Sequence, residues 1–163
     1  MSRLVTVIPV YNGERFLRAT LESVAAQTRR PDRVIIQDNC STDGTAAIGK
    51  EFESEGFEWC LNEAHVSSTK NFNAALQFAS EADVLHLLTA DDLVAPGFYE
   101  RLLDPLESID GRALAYAAYE VIDENGALVQ GGDLVNPFPI EPNGQSRRIA
   151  RERFIASQAD LRT

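Results

Sequence analysis

The apolar residues of this chain come in short blocks, and polar turns separate the blocks. Leu4 to Val10 (LVTVIPV) is a β-branched run closed by the turn signal Tyr11-Asn12-Gly13. From Glu14 to Gln27, the residues Phe16, Leu17, Leu21, Val24 and Ala25 recur at helical spacing, and Pro31 marks the stop. Val34-Ile35-Ile36 predicts a second strand, Asp38 to Gly44 a polar loop, and Thr45 to Glu55 a helix. Phe57 to Leu61 reads as a third strand. Ser67 to Ala82 reads as a helix with Phe72, Ala75, Leu76 and Ala79 on one side. Asp83 to Leu88 is a fourth strand, and Pro96 to Ser108 a helix with Pro96 suited to its first turn. Ala113 to Asp123 reads as a fifth strand, with Glu124-Asn125-Gly126 as a hairpin turn into Ala127 to Gln130. Gly131 to Gly144 reads as loop. Ser146 to Ala159 reads as a terminal helix whose Arg147, Arg148, Arg151 and Arg153 form one solvated face.

Strand and helix alternate four times, which predicts an α/β fold: a mostly parallel sheet with helices on both faces. The 163 residues suit a single domain, with a core over 1–130 and a loop and terminal helix over 131–163. In such sheets ligands bind in the crevice beyond the carboxyl ends of the strands. Three polar clusters fall at such ends: Tyr11-Asn12-Gly13-Glu14, Asp38 to Asp43, and Asp91-Asp92. Distant in sequence, they are brought to one edge by this topology.

Charge narrows the partners. A net charge of −10 argues against a nucleic-acid or anionic-lipid footprint. It leaves an anionic small ligand open, because a divalent cation reverses the local sign. No apolar stretch approaches the ~20 residues of a membrane span. MSRLVTVIPV lacks a signal-peptide cleavage pattern, so a cytoplasmic protein is expected. Cys40 and Cys60 are expected as free thiols.

Asp91 and Asp92 pose an electrostatic question. Two carboxylates ~4 Å apart repel by roughly 4 kcal/mol at an effective dielectric of about 20. A divalent cation such as Mg²⁺ or Mn²⁺ removes that cost and keeps positions open for phosphate oxygens. The plain alternative is a cap for the helix near Pro96. Asp38 and Asn39 can read a base edge or form an Asx turn. Tyr11 can stack on a base or sit half-buried at a strand end. Lys70 can meet a diphosphate or remain a solvated helix lysine. Ser41, Thr42 and Asp43 suit a helix cap, and Asn12-Gly13 a turn and nothing more. His65 and His86 stand alone, without a second ligand at zinc spacing. Glycine-rich dinucleotide and P-loop signatures are missing.

Together, VTVIPVYNGERFLRATLESVAAQT, VIIQDNCSTDGTA, VSSTKNFNAALQFA, LHLLTADDLVAPGFYERL and YEVIDENGALV resemble the family 2 glycosyltransferases, over about Leu4 to Val129. The resemblance implies the nucleotide-diphospho-sugar transferase (GT-A) fold. It implies inverting transfer of a sugar from a nucleotide-diphospho-sugar donor to a glycan or lipid-linked acceptor, in surface polysaccharide or glycan synthesis, in the cytoplasm or at the inner face of the membrane. By that resemblance Pro9, Tyr11 and Glu14 lie against the nucleotide, and Asp38 and Asn39 read base and ribose. Lys70 presents a basic group, Asp91 lies nearer the ribose, and Asp91 with Asp92 holds Mg²⁺ or Mn²⁺ in a DxD-type motif. The family often opens that motif with an acid where this chain has Thr89, and has an acid where it has Asn39. The acceptor-side general base, usually an acid well after the metal motif, is expected beyond Thr163, in a chain truncated at its C-terminus. A cut domain could also pair with a copy of itself. The alternative is a non-catalytic, degenerate transferase-like binding or assembly module. A sugar-nucleotide pyrophosphorylase or a receiver-like domain fits the motifs less well.

Overall fold

The computed structural model describes residues 2–107, 118–129 and 153–157. Four parallel strands form its main sheet, in the order β3-β2-β1-β4: β1 Leu4–Val10, β2 Arg33–Asp38, β3 Glu58–Leu61 and β4 Val84–Leu87. The connections are helical: α1 Leu17–Ala25, α2 Thr45–Glu51 and α3 Ser68–Ala75, with α4 Phe98–Leu106 following β4. Short 3₁₀ turns extend α2 to Glu55 and α3 to Glu81.

Side-chain alternation builds two apolar layers from one sheet. Leu4, Ile8, Val10, Val34 and Ile36 face α1, α2 and α4, where they pack with Leu17, Leu21, Phe52, Tyr99 and Leu103. Val5, Val7 and Ile35 face the other way, onto Ala75 and Phe78. Every residue of β1 is buried, as expected of a central strand covered on both faces. Gly49 lets α2 lie flat on β3, since a Cβ there would stand 2.1 Å from Cε3 of Trp59.

The chain moves outward from β1 to β2 to β3, then crosses back to β4 on the other side of β1. The switch point therefore lies between β1 and β4. Pro9 opens it. The β1–β4 ladder ends at Val7 and Leu87, with the Leu88 N–H reaching the Val7 carbonyl at 3.0 Å. Pro9 has no N–H to continue on that side, so the two chains part.

β5 (Ala118–Ile122) and β6 (Arg153–Ser157) form a separate parallel pair. The expected hairpin follows β5: Asp123 and Ala127 pair through N–H to O at 2.8 Å, and Val129 returns to Val121 at 3.0 Å. The expected terminal helix from Ser146 to Ala159 is corrected over Arg153–Ser157, which is strand. Its sequence, RFIAS, carries Phe154 and Ile155, which suit a strand. The β5 edge offers backbone partners that no local pattern reveals. The rest of that expected helix, and the first part of the expected strand from Ala113, lie outside the described residues.

Candidate nucleotide-sugar site

Three loops leave the carboxyl ends of β1, β2 and β4. The β1 loop is held by the β2 loop through a dense set of short bonds. Asn12, at φ 50°, donates its N–H to Ser41 Oγ at 2.9 Å and accepts the Thr42 N–H on Oδ1 at 2.8 Å. It is thus a latch as well as a turn. The Gly13 N–H donates to Thr45 Oγ1 at 2.8 Å and the Glu14 N–H to Asp43 Oδ2 at 3.1 Å. In return the Glu14 carboxylate accepts the Gly44 N–H at 2.6 Å, at the start of α2, where the helix dipole favours an anion. Burial pushes the Asp43 carboxyl up. Hydrogen bonds from the Thr45 hydroxyl, the Thr45 N–H and the Glu14 N–H outweigh it and hold the group below its ordinary value. The N-cap position of α2 is Gly44 rather than Ser41, Thr42 or Asp43; Asp43 accepts the Thr45 N–H at the helix start while tying the two loops together.

Asp38 ends β2 with only 1% of its surface exposed. The Ser41 N–H (3.0 Å) and the Ser41 hydroxyl both bond to its Oδ1, an Asx-type turn that leaves the bonding load on one oxygen. Asn39, also buried, turns its amide to the loop after β3. Its Nδ2 donates to the Val66 carbonyl at 2.7 Å, and its Oδ1 accepts the Val66 N–H at 2.9 Å and Asn62 Nδ2 at 3.1 Å. Asn62 passes the network on to Asn71 of α3 at 2.8 Å. The Tyr11 ring, 48% exposed, lies against the His65 ring with centroids 4.4 Å apart. The sequence marks His65 only as an isolated histidine without a zinc partner, because a lone histidine in a polar loop carries no spacing signal for a place beside Tyr11. Lys70 stands exposed in the first turn of α3, its N–H on the capping Ser67 hydroxyl, with no ion-pair partner among the described residues.

The β4 loop closes as a turn in which the Asp92 N–H meets the Thr89 carbonyl at 3.2 Å, and the Thr89 hydroxyl donates to Asp92 Oδ2. Where an acid would add a third charge, Thr89 supplies a proton instead. This turn is anchored to α1: Thr20 Oγ1 donates to the Ala90 carbonyl at 2.9 Å. Gln27, 5% exposed, donates to the carbonyls of Val94 and Ala95 and accepts the Phe98 N–H at 3.0 Å. The loop also abuts the β1 loop. A Cβ at Gly13 would stand 2.6 Å from Val10 Cγ2, so the turn out of β1 leaves no room for a side chain there, while Ala90 Cβ of the β4 loop would lie at an ordinary contact distance of 3.8 Å. Asp91 lines a hollow of about 290 Å³ between Phe16, at the start of α1, and the turn Asp123-Glu124-Asn125-Gly126. Arg15 reaches across to Glu124.

Among the described residues no group of three or more His, Cys, Asp or Glu side chains is placed to enclose a metal ion. Asp91 and Asp92 carry neighbouring carboxylates in the loop after β4. That donor set fits Mg²⁺ or Mn²⁺ held by one or two carboxylates, with phosphate oxygens and water completing the shell. Cys40 and Cys60 are free thiols, as expected. Among the described residues no helix is long and apolar enough to cross a membrane.

The chain has the GT-A fold of nucleotide-diphospho-sugar transferases, shown by its likeness to solved transferase structures and consistent with its parallel sheet of order 3-2-1-4. The chain belongs to glycosyl transferase family 2, which it matches over residues 5–157. It is 28% identical over 141 residues to the Escherichia coli UDP-Glc:alpha-D-GlcNAc-diphosphoundecaprenol beta-1,3-glucosyltransferase WfgD, covering 86% of this chain and 54% of that one. It is 26% identical over 119 residues to a glycosyltransferase of Rickettsia typhi, covering 72% of this chain and 36% of the relative. The chain therefore spans about a third to a half of these relatives. Among solved structures, GalNAc-T7 with UDP, GalNAc and Mn²⁺ superposes with a TM-score of 0.65 at 21% identity. It covers 82% of this chain and 26% of that one, a likeness of fold.

Proposed function

We propose that this chain holds the donor half of an inverting glycosyltransferase site, taking a nucleotide-diphospho-sugar and passing its sugar to an acceptor hydroxyl of a glycan or lipid-linked glycan. One observation carries this reading: Tyr11, Asp38 and Asp91-Asp92 stand at the ends of β1, β2 and β4, around the single switch point of the main sheet. Family membership supports the reaction class. The name of the E. coli relative, with UDP-Glc as donor and a lipid diphosphate as acceptor, supports the substrate classes.

In this reading the exposed Tyr11 ring stacks on the base. Asp38, whose Oδ1 is engaged by Ser41, offers its other oxygen to base or ribose. Asn39 takes part chiefly by fixing the neighbouring loop, since Val66 and Asn62 occupy most of its amide. Pro9 keeps the crevice open, and Glu14 holds the β1 and β2 loops together at its wall. Lys70, exposed at the start of α3, is a cation available to the diphosphate. Asp92, oriented by Thr89, and Asp91 hold Mg²⁺ or Mn²⁺. When bound, the ion supplies charge neutralisation for the departing diphosphate. The attacking hydroxyl needs a base to take its proton. The family resemblance looks for that group on the acceptor side of the site.

The test is calorimetric titration of the chain with UDP, GDP and dTDP, with Mn²⁺ or Mg²⁺ and again with chelator. Binding of at least one nucleotide that weakens about tenfold or more on chelation is expected. Absent or metal-indifferent binding contradicts the reading.

A further inference from the structure

We infer that His65 is a positioning residue of the base platform, a ring locked by the Asn39 carbonyl that backs Tyr11 and sets where the nucleobase stacks. The inference rests on the donor-site reading above and adds to it a residue that neither spacing nor motif singled out.

Three observations carry it. First, the His65 ring lies 4.4 Å from the Tyr11 ring, centroid to centroid, with the planes tilted by 48°. At that separation no base fits between them, so His65 covers one face of Tyr11 and leaves the other for a ligand. Second, His65 Nδ1 lies 3.0 Å from the Asn39 carbonyl oxygen. A carbonyl only accepts, so Nδ1 carries the proton, and the ring is fixed in both tautomer and orientation. Third, the loop that bears His65 is clamped at the very next residue: both polar atoms of the Asn39 side chain bind the Val66 backbone. Cys40 follows at φ 64° and hands its thiol to the Asn62 carbonyl at 3.3 Å. Asn39 thus serves His65 through its own carbonyl and Val66 through its side chain.

The physical consequence is pre-organisation. An exposed tyrosine ring that swings freely must be ordered when a base stacks on it, and that ordering subtracts from affinity. A fixed ring behind it removes part of that cost and adds an aromatic contact. In this inference His65 acts only through Tyr11, so its contribution is confined to the base.

The experiment measures dissociation constants for UDP, GDP and dTDP, and for inorganic pyrophosphate, each with Mn²⁺. His65→Ala, His65→Phe and Tyr11→Ala are compared with the unaltered chain. The expected result is that His65→Ala weakens the best-bound nucleotide by about threefold to tenfold and leaves pyrophosphate unchanged. His65→Phe, which keeps a ring behind Tyr11 without the bond to Asn39, recovers part of the loss. If Tyr11→Ala weakens nucleotide binding while His65→Ala does not, the inference about His65 is overturned and the donor-site reading stands. Equal weakening of nucleotide and pyrophosphate by His65→Ala, with no recovery in His65→Phe, also overturns it, since the loop would then merely be disrupted. If the unaltered chain binds none of the nucleotides, the donor-site reading itself fails and the inference with it.

Discussion

The side chain of Asn39 grips the backbone of Val66 at both ends, donating to its carbonyl at 2.7 Å and accepting its N–H at 2.9 Å. An amide can do this because it is donor and acceptor at once, and a carboxylate cannot. The relationship explains why this chain carries Asn where the family resemblance leads one to expect an acid. Asn39→Asp would set a carboxylate oxygen against the Val66 carbonyl at a position 2% exposed. We expect a loss of about 1–3 kcal/mol in urea unfolding, with the loop that bears His65 released. Unchanged stability would show that the grip contributes nothing.

Gln27 plays the matching part on the other side of the crevice. From the residue after α1 and its cap it bonds Val94, Ala95 and Phe98, just past the two aspartates. Gln27→Leu keeps the volume and strands those buried backbone groups. It should cost about 1–3 kcal/mol and weaken metal-dependent nucleotide binding, which unfolding curves and calorimetry report together. A stable variant with normal binding would separate Gln27 from the site.

Asp92→Asn keeps the bond from Thr89 and removes one negative charge from the pair. In the donor-site reading, nucleotide affinity in Mn²⁺ should fall about tenfold or more. The residual affinity should match that of the unaltered chain in chelator. An affinity that still responds to Mn²⁺ as before would move the ion away from Asp92.

His86 makes the chain acid-sensitive. Thr6 donates to the Tyr99 hydroxyl at 3.0 Å, so the Tyr99 proton is left for His86 Nδ1, 3.2 Å away. The ring keeps some exposure at the side of β4, but burial against Phe98 and Tyr99 holds its pKa near 4, below the ordinary 6.5. Between these values the unfolded chain binds the proton and the folded chain does not. Stability is therefore complete above about pH 6.5 and declines toward pH 4, by about 2 kcal/mol once the partial exposure is allowed for. His86→Leu should flatten that decline by close to one proton in melts recorded across the range. An identical slope in both proteins would show that other groups set it.

Much of this molecule was legible before any coordinates. β1, β2 and β4, their helices, the hairpin after Asp123 and the acids at the strand ends follow from side-chain periodicity and turn chemistry, which act within a few residues. What escaped were relationships between segments. Arg153–Ser157 reads locally as part of a helix and becomes a strand because β5 offers an edge. Asn12 reads as a turn residue and becomes a latch because Thr42 stands opposite. His65 reads as an isolated polar residue and becomes a neighbour of Tyr11 because Asn39 draws its loop across the sheet end.

By itself, then, the sequence determined which residues could form strands and helices and which chemistry would stand at their ends, since both depend on local sterics and side-chain alternation. Only the tertiary structure decided which ends meet and which polar groups are already engaged with one another. Hydrogen bonds such as those from Asn39 to Val66 and Gln27 to Val94 span tens of residues, and no local pattern encodes them.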